Sequence, residues 1–115
     1  MAKRGEVLVA KRRLGFSGEG KSEHFVVVQS DQLRDLDTVI VVPLDVDAPL
    51  YKVDPLVVHI SAREAGAKHP HVVLVHLVSS ILLERFEETH VSKLTPASMA
   101  KVDDLIGITL DVRTR

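Results

Sequence analysis

The 115 residues, 45% of them hydrophobic, make one domain with enough apolar material to bury about two-thirds of its unfolded surface. Lysine and arginine number 15 against 16 aspartates and glutamates, a net charge of −1, so bulk charge draws the chain to neither nucleic acid nor an anionic membrane, and an RNA site must be a local patch. With no cysteine there are no disulfides, thiolate catalysis or zinc–thiolate sites, and with no tryptophan, one tyrosine and three phenylalanines there is no aromatic platform for stacking single-stranded bases.

The opening Met1-Ala2-Lys3-Arg4-Gly5-Glu6 carries positive charge with no apolar run of signal length behind it, and no later apolar run is long enough to span a bilayer. A soluble, unprocessed, cytoplasmic chain is expected, folded as a single domain over 1–115. Val7–Ala10 is the first predicted strand. Lys11 to His24 follows as a long basic loop with Gly15, Gly18 and Gly20, of a length that in compact domains is usually functional or mobile. Its glycines lack the spacing and the following Lys-Ser/Thr of a phosphate loop.

Phe25–Gln29, Val39–Val42, Leu56–Ile60 and Val72–Val78 continue the predicted strands, with a short helix as the alternative for Ile81–Leu83. Several are continuous apolar runs, as expected where both faces of a curved sheet are covered. Thr95 is a good N-cap with Pro96 at the first helical position. Met99, Val102, Ile106 and Leu110 then form one apolar stripe, predicting an amphipathic C-terminal helix on the sheet. Gly107 lowers helix propensity by about 1 kcal/mol, leaving that helix dependent on packing. The tail 113–115 is expected to fray.

The order of these segments carries a resemblance. Arg4-Gly5-Glu6, Val27-Val28-Gln29-Ser30-Asp31, Asp37 through Pro43, and Leu94 through Leu110 with its Val102-Asp103-Asp104 centre resemble successive segments of the MazF/PemK toxins of bacterial toxin–antitoxin modules. Phe25 to Asp31 and Pro55 to Ile60 resemble the related CcdB toxins. The resemblance implies a mainly β fold, a small, strongly bent antiparallel sheet or partly open SH3-like barrel with a C-terminal helix. It also implies a homodimer, a cognate antitoxin as partner, and metal-independent cleavage of single-stranded RNA with no cofactor. The CcdB side of the comparison implies DNA gyrase as an alternative target, and an inactive relative that binds an antitoxin is a third reading.

The family's usual active-site positions hold other residue types. Glu23 and His24 stand where an arginine and a proline precede the second strand, Asp45 where a threonine or serine follows the third, and His76 and Ser79 near an acidic residue and an arginine of the fifth. CcdB toxins inhibit gyrase through residues ending in Trp-Gly-Ile, where this sequence reads Leu110-Asp111-Val112-Arg113-Thr114-Arg115, a departure that weighs against the gyrase alternative.

Cleavage through the ribose 2′-hydroxyl needs a base, an acid and cationic donors for the phosphate. Histidine, with an ordinary pKa of about 6.5, suits the first two roles. The candidates are His24, His76 and Glu23 for catalysis, and Lys21, Arg12, Arg13, Asp45 and Ser79 for substrate, with Lys11 beside them. On an extended segment Glu23 and His24 point to opposite faces, so one of them at most faces a given pocket. His59, on a valine-rich strand, is expected to be a hydrogen-bonded core or interface residue. His69-Pro70-His71 reads as a turn without a third metal ligand. Asp45 and Asp47 share a face, as a solvated rim or a carboxylate pair.

Overall fold

The computed structural model describes residues 2–16, 23–33 and 35–112. Seven strands, β1 (Glu6–Val9), β2 (His24–Val27), β3 (Thr38–Val46), β4 (Val57–Ile60), β5 (His71–Leu74), β6 (Ser79–Leu82) and β7 (Ser92–Lys93), are joined by a one-turn helix α1 (Ala62–Ala65) and followed by α2 (Pro96–Thr109). Every pairing is antiparallel, in the order β4-β5-β3-β2-β1-β7, with β6 also on β3.

The long strand β3 organises the sheet. Its C-terminal half, Leu44–Val46, pairs with β5, and its N-terminal half, Thr38–Val41, pairs with β6 on the same edge. The expected strand Val72–Val78 is therefore interrupted: a 3-10 turn at Val75–Leu77 lets the chain leave one half of β3 and rejoin the other. Ile81 lies within β6, and the helical turn expected near it starts at Leu83 and runs to Arg85 as a 3-10 segment. β2 ends at Val27, before Gln29, because the Val28 and Gln29 N–H groups share the Ile40 carbonyl, at 3.0 and 3.2 Å. That extra residue bends the strand.

Curvature brings the far end of the sheet round to β1. Ala10 bridges Phe86, Glu87 N–H donates to the Val9 carbonyl and Lys11 N–H to that of Arg85, both at 2.8 Å. This closes a small, partly open barrel filled by Leu8, Ala10, Phe25, Val27, Val39, Val41 and Phe86. The opposite face of the same strands, with Val7, Val26, Val42, Leu44, Val58 and Val73, packs under Val102 of α2. Both faces of β1, β2 and β3 are thus buried, which is why their sequences read as continuous apolar runs.

α2 begins as its sequence dictates, Thr95 Oγ1 accepting the Ser98 N–H at 3.2 Å and Pro96 in the first turn. Its buried stripe is Met99, Val102, Leu105 and Ile106, and Leu110 is exposed. The helix stops short of burying Leu110 because Asp111 takes a left-handed φ of 53° and Val112 N–H folds back to the Gly107 carbonyl at 2.8 Å. Among the described residues no helix is long and apolar enough to cross a membrane.

Candidate functional site

The loop after β1 is held down by Glu23. This residue is 1% exposed, and its carboxylate accepts the backbone N–H groups of Leu14, Gly15 at 3.0 Å and Phe16 at 2.7 Å. Three successive amides converging on one carboxylate form an anion nest, which folds the loop's first half back over the barrel. Phe16 follows it down, packing edge-on to Phe25 at 5.7 Å. The candidate acid Glu23 is therefore placed as the loop's internal anchor, with its oxygens turned away from solvent. Arg12 and Arg13 project outward from the same loop beside Lys11, all exposed. Lys21 lies outside the described residues.

Alternation then sends His24 to the opposite face, as the spacing requires. Its Nδ1 lies 2.8 Å from the Ala65 carbonyl oxygen. A carbonyl only accepts, so Nδ1 carries the hydrogen and the Nε2 lone pair is left for another partner. The acceptor is the last residue of α1, in which the Ala62 and Arg63 carbonyls accept the Ala67 and Gly66 N–H groups and the Glu64 carbonyl accepts the Ser92 hydroxyl. Ser61 caps its start, accepting the Glu64 N–H at 3.2 Å, and Gly66 ends it with a left-handed φ of 65°.

His71, at the start of β5, is the imidazole beside His24. Their ring centroids are 6.1 Å apart and the planes 16° from parallel. His71 is held in the same way, its Nδ1 2.7 Å from the His69 carbonyl. Both histidines are partly exposed.

The other candidates sit elsewhere. His76 is exposed on the 3-10 turn between β5 and β6, and Ser79 turns its hydroxyl onto the Leu77 carbonyl at 3.0 Å. Asp45 accepts the Tyr51 hydroxyl at 2.6 Å and its neighbour Val46 N–H at 2.9 Å. Burial, that hydrogen bond and the charges of Asp45 and Asp54 push the Tyr51 phenol up to about 12. His59, expected in a core or interface, is instead an exposed residue whose Nδ1 meets Asp47 Oδ2 at 2.9 Å. It shares a face with Asp45 because Val72 pairs with both Asp45 and His59, and it stands exposed beside the small buried cluster of Val57, Val72 and Leu74 on that face. Among the described residues no group of three histidines or acids is placed to hold a metal ion.

A cleft of about 840 Å³ lies across the molecule, where Glu6, Asp37, Glu84, Glu87 and Glu88 outnumber Lys11 and His90. Its field repels phosphate. Lys11 lines this acidic cleft, so the exposed cations of the loop suited to a polyanion are Arg12 and Arg13.

Sequence reasoning passed over His71 and Tyr51. His71 had a signal, since it stands two residues before Val73 on an apolar strand and so shares its face, but the flanking Pro70 made the segment read as a turn. Tyr51 carried none.

Comparison with known proteins agrees with this architecture. No curated protein matches the chain in sequence. Among solved structures, it is similar to a mycobacterial endoribonuclease in complex with its cognate antitoxin (16% identity, TM-score 0.76, all of both chains), and to the Mycobacterium tuberculosis toxin MazF-mt6 (16%, 0.73, 95% of this chain and 99% of that one). It is also similar to MazF in a MazE–MazF crystal from Deinococcus radiodurans (17%, 0.75, 97% of each chain). The family model for the PemK-like, MazF-like toxin of type II toxin–antitoxin systems matches residues 3–110, nearly the full length, and the chain belongs to that family.

Proposed function

We propose that this toxin is an endoribonuclease that cuts single-stranded RNA in the cytoplasm without a metal ion, works as a homodimer and is held in check by an antitoxin. The observation that carries the reading is His24: it follows the basic loop bearing Lys11, Arg12 and Arg13, at the position that the resemblance matches to the proline of the family's arginine–proline pair, with Nδ1 tied to the Ala65 carbonyl and Nε2 left for proton transfer. The family match, and neighbours described as endoribonucleases, favour RNA over gyrase as the target.

The chemistry is transesterification. His24 exchanges a proton with the reacting oxygens of the scissile phosphodiester, and the loop cations offset the charge gathering on the phosphate. Glu23 contributes by holding the loop, and His76, Ser79 and Asp45 lie apart from this centre in their own local contacts.

Incubation with a long single-stranded RNA in EDTA, with mapping of the ends, tests the proposal. Discrete cuts are expected from the wild type, with a loss of about 100-fold or more in a folded His24→Ala variant and near-wild-type cutting in His76→Ala. Absence of cuts by the wild type, or full activity in His24→Ala, overturns it.

A further inference from the structure

We infer that His71 is the second proton-transfer residue of this site, acting with His24 on the same phosphodiester. The inference rests on the ribonuclease reading and adds to it a residue outside the family positions from which His24 was chosen.

The two imidazoles are prepared alike. Each has Nδ1 on a backbone carbonyl, His24 on Ala65 at 2.8 Å and His71 on His69 at 2.7 Å. Each carbonyl fixes the hydrogen on Nδ1, so each ring gains and loses its exchangeable proton at Nε2. The anchors are independent, one at the end of α1 and the other in the turn before β5, so neither ring depends on the other for its orientation.

The sheet sets the spacing. His24 lies on β2, next to Phe25 opposite Pro43, and His71 pairs with Val46 across β3's other edge. Alternation with Val26 and Val73 puts both on the face that packs under α2, where the ring centroids lie 6.1 Å apart with near-parallel planes. At that separation the two Nε2 atoms can each come within about 2.6–3.2 Å of one of the two reacting oxygens of a single phosphate. Among the described residues His76 has no comparable anchor and no ring neighbour.

The step balances with one ring neutral and the other protonated. The neutral Nε2 takes the 2′-hydroxyl proton as the O2′–P bond forms. The P–O5′ bond breaks, and the leaving O5′ takes the proton from the other Nε2–H. The products are a 2′,3′-cyclic phosphate and a 5′-hydroxyl, and the two rings return to their starting states by exchange with water.

The test uses full-length protein and two substrates: a short RNA with an ordinary linkage, and the same RNA with a 5′-bridging phosphorothiolate, whose sulfur leaves without being protonated. His71→Ala removes the ring, and His71→Asn keeps an N–H for the His69 carbonyl while removing Nε2. Both are expected to keep the wild-type melting transition and to cut ordinary RNA about 100-fold or more slowly. On the phosphorothiolate, the defect of whichever of His24→Ala and His71→Asn lacks the acid is expected to vanish while the other persists. Wild-type cutting with both His71 variants fully active overturns the inference and leaves the ribonuclease reading standing, as does a His71 defect with neither variant rescued. No cutting by the wild type removes both.

Discussion

Phe16 N–H donates to the Glu23 carboxylate at 2.7 Å across a seven-residue separation, and the Leu14 and Gly15 amides converge on the same side chain. A buried carboxylate at a position that the resemblance matches to the family's active site thus spends its lone pairs on its own backbone. Glu23→Ala strands three amides and removes a charged acceptor, an expected loss of about 2–3 kcal/mol in urea unfolding. Glu23→Gln, which keeps one acceptor oxygen, is expected to lose about half of that and to retain RNA cutting. A Glu23→Gln protein of wild-type stability that cannot cut would instead make Glu23 a participant in the chemistry.

Tyr51 is the chain's one tyrosine, so its ionisation is readable by tyrosinate absorbance without interference. Its phenol sits at about 12, raised by burial and by Asp45. Because the folded value exceeds the unfolded one, the stabilisation is complete below about pH 10 and is lost as pH rises toward 12. Wild-type protein is expected to titrate this tyrosine late and to lose stability over that interval. Asp45→Asn should move the titration back toward the ordinary value, and an unmoved curve would remove Asp45 as a cause.

The strands, the capped helix and the bent sheet were legible because their signals are local: valine runs for doubly covered strands, Thr95-Pro96 for the helix start. The break in the expected strand at 75–78 was not, since it arises from β3 being long enough to hold β5 and β6 end to end, a tertiary fact. The site was half legible. Alternation separates Glu23 from His24, yet only three-dimensional placement shows that Ala65, forty-one residues away, orients His24, and that its neighbour is His71 rather than His76. His59 is hydrogen-bonded as expected, to Asp47, but lies outside the core, because the buried cluster on its face stops at Val57, Val72 and Leu74.

Glu64 ties α1 to α2 by accepting the Thr95 N–H at 2.9 Å and its hydroxyl at 3.0 Å. Burial alone would raise this carboxyl, but hydrogen bonds from Thr95, Ser98 and the Ser61 segment outweigh it and hold the group below its ordinary value. A depressed folded pKa means the stabilisation is present above the unfolded value and disappears as pH falls through the folded one. Glu64→Gln is expected to cost about 1 kcal/mol at neutral pH, discounted for its exposed setting. The gap from wild type should close in acid. A gap that persists at low pH would assign the effect to packing rather than charge.

Gly66 ends α1 in the left-handed region, and a Cβ there would lie 2.6 Å from Val91 Cγ2 and 2.9 Å from Ser92 Oγ. Gly66→Ala therefore carries two separable penalties, about 1 kcal/mol for the backbone conformation and a steric one against the segment that enters β7. Val91 is half exposed, so Val91→Ala alone is expected to change stability by less than about 0.5 kcal/mol. Combined with Gly66→Ala it removes the shortest of these contacts, and the double variant should be more stable than Gly66→Ala, a non-additive result. Since Ala65 precedes Gly66 and its carbonyl orients His24, the single variant should also cut RNA more slowly, with partial recovery in the double. Stability recovered without cleavage would separate the fold of α1 from the placement of His24, whereas a double variant no more stable than Gly66→Ala would show that the backbone conformation or Ser92, and not Val91, requires glycine.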